Sequence, residues 1–393
     1  MPPLLLATAF LEGFALTLVQ GFLPLYVRQA LGEPSFVTVG LVLAVPALGT
    51  AIASNFWGGL SDVTGRLKPM MLVGAAGYVV ALLGIPTLSH GLGVLAYVGA
   101  ASLLYGTLAP TLKAYATLVM PERREQAIAY VLLAYSTGWL AGSFGGGGLI
   151  EGGLASGLRF AMWTCAGLTA VNAVLVARFL PDIRRPPAPS PEPRERRGWL
   201  ARILADLAAL YENPRLFRLC VLSFFFVAGN YLMWGFFTVF LVERLGASLH
   251  AVRFALVASS IMGICALPFV GPLVRRFGGR RTLAVGITLY LFMYAGMAMA
   301  RDPLLASVLY AAPLYGLVNV SANALASDYA GPSQRGGGLG VLQGAYSLAT
   351  IAGPMTGGFV ADRYGLAAVP LTALGFMLVA CPIAWLLARR GGQ

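Results

Sequence analysis

The chain has 393 residues, of which 58% are hydrophobic and only 11% charged, and its mean hydropathy is +0.77. That leaves too little polar surface to enclose a water-soluble globule, so the sequence reads as an integral membrane protein. The net charge of +12 does not point to nucleic acid, because the basic residues sit in short clusters between apolar runs, which is a pattern of membrane topology.

The first apolar run, about Pro3 to Val27, is too long and too bare of N-terminal basic residues for a cleaved signal peptide. Further runs follow at Phe36 to Trp57, Pro69 to Ser89, Gly91 to Val119, Gln126 to Ile150 and Leu158 to Leu180. After an interruption come Leu216 to Val242, Phe254 to Val274, Thr282 to Ala300, Leu304 to Tyr329, Gly336 to Ala361 and Leu366 to Leu387. Each is close to the ~20 residues that cross the hydrocarbon. Backbone in lipid must satisfy its own hydrogen bonds, and none of the runs alternates like a barrel strand, so twelve transmembrane helices are expected.

The interruption divides the chain into 1–180, a connecting segment 181–214 and 215–393. Its first part, Pro181 to Gly198, is rich in Pro and Arg and reads as a solvated linker. Trp199, Leu200, Ile203, Leu204, Leu207, Leu210 and Tyr211 then recur at helical spacing, which predicts an amphipathic helix on the membrane surface ending near Pro214. With the N-terminus inside, inner segments hold 20 basic residues and outer loops 6, with Lys113 inside a span. The positive-inside rule therefore places both termini and the linker in the cytoplasm. Cys165, Cys220, Cys265 and Cys381 lie inside apolar runs without paired or metal-ligand spacing and read as small buried hydrophobes.

The halves echo each other. The hairpin Gly58 to Lys68, GGLSDVTGRLK, answers Gly271 to Arg281, GPLVRRFGGRR. Gly142, Ser143, Gly146 and Gly147 answer Gly353, Pro354, Gly357 and Gly358. The chain is thus a duplicated six-helix unit.

At these residues the sequence resembles the major facilitator superfamily over essentially its whole length. Gly58, Leu60, Asp62, Gly65 and Arg66 match that family's hairpin G-x-L-x-D-x-x-G-R, with Lys68 close to its second basic position. Gly353-Pro354-x-x-Gly357-Gly358 resembles the G-P-x-x-G-G element associated, in the first half, with drug:proton antiporters. The first-half copy here has Ser143 in place of Pro, and the family's basic residue in the fourth span, near Ser102, is absent. The resemblance implies an all-α membrane fold of two pseudo-symmetric six-helix bundles, working by alternating access around a cavity lined by spans 1, 4, 7 and 10. It also implies a monomer in the inner membrane of a bacterium, with a small-molecule substrate and protons as partners and no cofactor.

Physically, Gly58, Asp62, Gly65, Arg66 and Lys68 form a conformational latch: Asp62 can pair with a basic residue or a helix N-terminus when the cytoplasmic side is shut and separate when it opens. The second-half echo has Arg275 at the Asp position, so the latch should be asymmetric. Embedded charge is costly and marks function by default. Glu12 and Lys113 lie at the same depth, ~12–13 Å from the cytoplasmic ends of their spans at 1.5 Å per residue. They are expected to form an ion pair whose carboxylate carries the coupling proton, burial favouring its neutral form and Lys113 its charged form. The substrate candidates are amides and aromatics: Gln20, Tyr26, Tyr115, Asn230, Tyr231, Trp234, Tyr315, Asn319 and Asn323, the last two sharing a face at i, i+4. No Gly-Lys phosphate motif supports ATP-driven transport, His90 and His250 fall in loops without metal partners, and nothing resembles an enzyme. The expected function is proton-coupled efflux of amphipathic or drug-like molecules. A sugar or organic-anion transporter, with Lys113 on the substrate, and a lipid or lysolipid translocase are the alternatives.

Overall fold

A computed structural model describes residues 1–183, 213–330 and 335–389, and within these the side chains of all but Asp62, Glu125, Arg335 and Gly336. Every described element is helical. We number the long helices α1 (Pro3–Ala30), α2 (Phe36–Ser61), α3 (Lys68–Thr87), α4 (Gly91–Val119), α5 (Gln126–Ile150), α6 (Leu154–Phe179), α7 (Pro214–Arg244), α8 (Leu249–Phe277), α9 (Gly279–Met299), α10 (Pro303–Ala330), α11 (Arg335–Tyr364) and α12 (Ala368–Arg389). All but α11 are long and apolar enough to cross a membrane by length and composition. The 30-residue α11 matches the eleventh expected run in place but is diluted in hydropathy by its glycines. The predicted surface helix around Trp199 to Tyr211 lies outside the described residues.

The ends of the helices follow local chemistry. Ser35 accepts from the Thr38 amide to cap α2, Asn213 from Leu216 to cap α7, and Asp302 from Leu304 to cap α10. Helix α2 continues to Thr64 and stops at Gly65, whose φ of +66° is the left-handed turn that glycine accepts without strain. Large apolar side chains such as Phe160, Val171, Phe292, Leu304 and Phe359 are more than half exposed, which is the surface a helix bundle offers to lipid rather than to water.

The described residues divide into two compact units. One holds α1 to α6 together with Gly235–Ser260, the C-terminal part of α7 and the first part of α8; the other holds the rest of α7 up to Trp234 and the described residues from Ile261 onward. Two of the unit boundaries fall inside helices, within α7 after Trp234 and within α8 after Ser260.

In the first unit α1 packs on α5, α2 on α4, and α3 on α4 and α6; in the second α9 packs on α10 and α12, and α10 on α11. The α1–α5 seam is built for close backbone approach, since a side chain at Gly13 would collide with the Tyr135 carbonyl and one at Gly138 with the Phe10 carbonyl. Thr17 spans the same seam, donating to the Trp139 carbonyl at 3.0 Å. A side chain at Gly353 of α11 would likewise meet the Ala228 carbonyl of α7. The first and fifth helices of each half therefore share one packing mode, as the internal repeat predicts.

Candidate functional site

In the first unit Glu12 faces inward from α1, with 6% of its surface accessible. Its electrostatic neighbours include Lys113 of α4 and Tyr78 of α3, and Tyr78 stacks on Tyr105 with ring centroids 4.7 Å apart. Lys113 is on an exposed face of α4. Equal depth therefore places the two charges within electrostatic reach, but among the described residues no contact ion pair joins them. Helix α1 turns Glu12 into the bundle, and α4 buries Thr111, Leu112, Tyr115 and Ala116 while Lys113 stays exposed.

The polar candidates of this unit take different places. Gln20, half-buried, sits in a π-helical stretch of α1, Thr17–Phe22, and such stretches recur at functional sites. Tyr26 is 1% accessible, and its hydroxyl has no hydrogen-bond partner among the described residues. Tyr115 donates its hydroxyl to the Pro181 carbonyl at 2.6 Å, which ties α4 to the end of α6 and gives that side chain a structural bond.

The hairpin is bound to the same end of α6. Arg66 donates through Nε and Nη2 to Asp182 Oδ2 at 2.9 and 2.6 Å. Lys68 Nζ donates to the Ala177 and Leu180 carbonyls at 2.8 and 2.6 Å, satisfying carbonyls that the end of α6 would otherwise leave open. Gly58 stands in open space, and the Asp62 side chain lies outside the description. The basic pair thus anchors the hairpin to α6 and the start of the linker, an attachment the sequence reading did not foresee.

At the far end, α1 and α7 finish alike. Each closes with a five-residue π-helical turn, Tyr26–Ala30 or Phe240–Arg244, followed by a glycine at φ +66° (Gly32) or +67° (Gly246). Arg28 donates to Glu243 at 3.0 Å and to the Glu33 and Pro34 carbonyls at 2.7 and 2.6 Å, and lies 4.1 Å over the Phe36 ring. A second cluster joins Glu151, after α5, to Arg253 at 3.1 Å and His250 at 3.0 Å. The Arg253 hydrogen bond, followed by that from His250, holds the Glu151 carboxyl below its ordinary value of 4.5. His250, read from sequence as a lone loop residue, lies in the first turn of α8 and is hydrogen-bonded to Glu151.

The second unit gathers aromatics and amides. Tyr231 and Trp234 of α7 meet edge-on with centroids 5.5 Å apart. Asn230 accepts from the Tyr294 hydroxyl at 3.2 Å. On α10 the predicted shared face exists as a ladder: Asn323 donates to the Asn319 side chain at 3.2 Å and Asn319 to the Tyr315 hydroxyl at 3.3 Å. Tyr315 is 41% accessible. Tyr290 and Tyr346 are its electrostatic neighbours, and Tyr294 and Tyr310 neighbour Tyr290 in turn; the sequence reading missed all four. Tyr290 and Tyr294 carried a signal, since their i, i+4 spacing puts two polar-tipped rings on one face of an apolar helix.

Comparison with known proteins agrees with this architecture. The family model for the Major Facilitator Superfamily matches residues 5–311 and 219–392. The multidrug resistance protein MdtG of Salmonella paratyphi C is 27% identical over 97% of this chain and 93% of its own, and that of Salmonella typhimurium is similar to the same degree. Among solved structures, the nucleoside transporter NupG superposes with a TM-score of 0.83 at 15% identity, covering 98% of each chain. A bacterial homolog of the human lysosomal transporter Spinster gives 0.72 at 15% identity over 98% of this chain and 95% of its own. The chain belongs to the Major Facilitator Superfamily and is a multi-pass membrane transport protein.

Proposed function

We propose that this protein exports small amphipathic or drug-like molecules across the inner membrane of a bacterium by alternating access, driven by protons moving inward, as a monomer with both termini in the cytoplasm. The observation that carries the reading is Glu12, 6% accessible within α1, whose carboxyl makes no hydrogen bond or contact ion pair among the described residues. A lone carboxyl in a low-dielectric interior is retained against its cost when a proton must be bound there and released as water reaches it. Lys113, in electrostatic reach, biases that exchange. Similarity to multidrug resistance protein MdtG along 97% of the chain supports export of drug-like molecules. The latch is Gly58, Asp62, Gly65, Arg66 and Lys68, held to α6 through Asp182 and Leu180. The substrate candidates are Asn230, Tyr231, Trp234, Tyr315, Asn319 and Asn323 in the second unit and, taken separately, Gln20 and Tyr26 in the first.

The test is uptake into inverted proteoliposomes. Substrates found by thermal-shift screening should accumulate when the lumen is made acidic and stop when a protonophore collapses the gradient. Accumulation indifferent to the gradient would overturn the coupling.

A further inference from the structure

We propose that the α8–α9 hairpin is a docking site for anionic phospholipid. Its four arginines, Arg275, Arg276, Arg280 and Arg281, take the headgroup phosphate, and the exposed apolar face of α8 beside them takes the acyl chains. The inference goes beyond the transport reading and does not depend on it.

The two hairpins of the internal repeat share one turn. Each helix stops at a glycine in the left-handed region, Gly65 at φ +66° and Gly278 at φ +81°, whose amide donates back to the Ser61 carbonyl at 2.8 Å or the Val274 carbonyl at 3.0 Å. Their charges are handled differently. In the first hairpin Arg66 is closed by Asp182 and Lys68 by two carbonyls of α6. In the second, Arg275 stands where the first has Asp62, and Gly271 to Arg281 holds four arginines and no acid. None of the four makes an ion pair among the described residues, and neither does Asp328, next in the chain to the Tyr329 that Arg280 covers. The connecting segment 184–212 carries six arginines against four acids, so it brings no surplus of negative charge to this hairpin.

Arg275, Arg276 and Arg281 are exposed and Arg280 is half-buried. The Arg280 guanidinium lies 5.5 Å over the Tyr329 ring and that of Arg276 5.5 Å over Phe277, so two of the four are steadied by aromatic faces. Phe269, Leu273 and Phe277, at i, i+4 and i+8 of α8, are exposed and form one apolar stripe about 12 Å long that ends at the arginines. Guanidinium groups present paired donors to phosphate oxygens. A basic cluster at the end of a lipid-facing stripe fits a phosphodiester whose own chains lie along that stripe, whereas a soluble anion would leave the stripe unused. Membrane topology accounts for basic residues in both hairpins; it does not account for one set being neutralised within the protein and the other left open.

The experiment is native mass spectrometry of the purified full-length protein in detergent, titrated with phosphatidylglycerol or with phosphatidylcholine of the same acyl chains. Phosphatidylglycerol should bind roughly tenfold or more tightly, since each basic residue near a membrane surface contributes about fivefold. Arg281→Gln alone should weaken phosphatidylglycerol roughly three- to fivefold and leave phosphatidylcholine unchanged. The fourfold variant Arg275→Gln/Arg276→Gln/Arg280→Gln/Arg281→Gln should lose the preference, and its Arg→Lys counterpart should keep most of it. Arg66→Gln, which removes a basic residue already closed by Asp182, should keep the preference whole. Equal binding of the two lipids by the unaltered protein would overturn the site, and that is the result if segment 184–212 covers the arginines. A preference undiminished in both Arg281→Gln and the fourfold variant would overturn it as well, and so would an equal loss in Arg66→Gln.

Discussion

Arg28 and Glu243, 215 residues apart in the chain, join two helix ends of one design: the π-turned, glycine-terminated ends of α1 and α7. The guanidinium reaches both carboxylate oxygens through Nε, at 3.0 and 3.1 Å, while its Nη1 holds two backbone carbonyls of the α1–α2 connection. Each partner keeps about a fifth of its side chain accessible, 21% and 22%, so the pair is only partly shielded. Arg28→Ala and Glu243→Ala should each lower stability, with a coupling energy on the order of 1 kcal/mol in a double-mutant cycle. The exchanged pair Arg28→Glu/Glu243→Arg should recover only part, because the carbonyl bonds of Arg28 are lost. A coupling indistinguishable from zero in thermal unfolding of the four proteins would remove the pair from the account.

Glu151 makes a pH dependence that can be assigned a sign. Its folded-state value is lowered, by the Arg253 hydrogen bond first, so its contribution to stability is present above the ordinary carboxylate value of 4.5 and is lost as pH falls through the lowered value. The melting temperature of the protein should exceed that of Glu151→Gln at neutral pH, and the gap should shrink below about 4.5. Arg253→Ala should move that loss to higher pH. A gap that widens on acidification would contradict the assignment.

The α1–α5 seam predicts intolerance at two positions that carry no chemistry. Gly138→Ala would drive a methyl group into the Phe10 carbonyl and Gly13→Ala one into that of Tyr135, at a cost of about 1–3 kcal/mol each from overpacking. Gly58, with nothing near it, should accept alanine with little change. Melting temperatures of the three variants in detergent make the comparison.

Lys68 predicts a separation between charge and capping. It donates to two carbonyls at the end of α6, so Lys68→Met should cost about 1 kcal/mol and Lys68→Arg less. Arg66→Ala, whose side chain is 49% accessible against Asp182 at 28%, should cost less still. Hydrogen exchange at the Ala177–Leu180 backbone reads the difference: faster exchange in Lys68→Met than in Arg66→Ala is expected.

The two levels of the structure were unequally legible. The twelve helices, the internal repeat and the family followed from run length and from residues such as Gly65, Arg66 and Gly353, because a bilayer leaves the backbone few options. Helix depth was legible as well, which is how Glu12 and Lys113 were paired. Facing was not legible for Glu12: the first part of α1 is apolar nearly all round, so no periodic stripe says that Glu12 turns inward. The ladder Tyr315–Asn319–Asn323 was visible because it is local, at i, i+4. Arg28 with Glu243, His250 with Glu151, and Tyr115 with Pro181 are tertiary meetings of distant segments, and single-sequence spacing carries no trace of them.

Glu12 is the group proposed to couple protons to transport. The direct measurement is to reconstitute Glu12→Gln and compare, in the same proteoliposomes, substrate counterflow without a gradient and accumulation driven by an imposed pH gradient. Counterflow retained with gradient-driven accumulation abolished is the predicted result, since the amide keeps the shape of the side chain and cannot carry the proton. Accumulation at the level of the unaltered protein would contradict the claim.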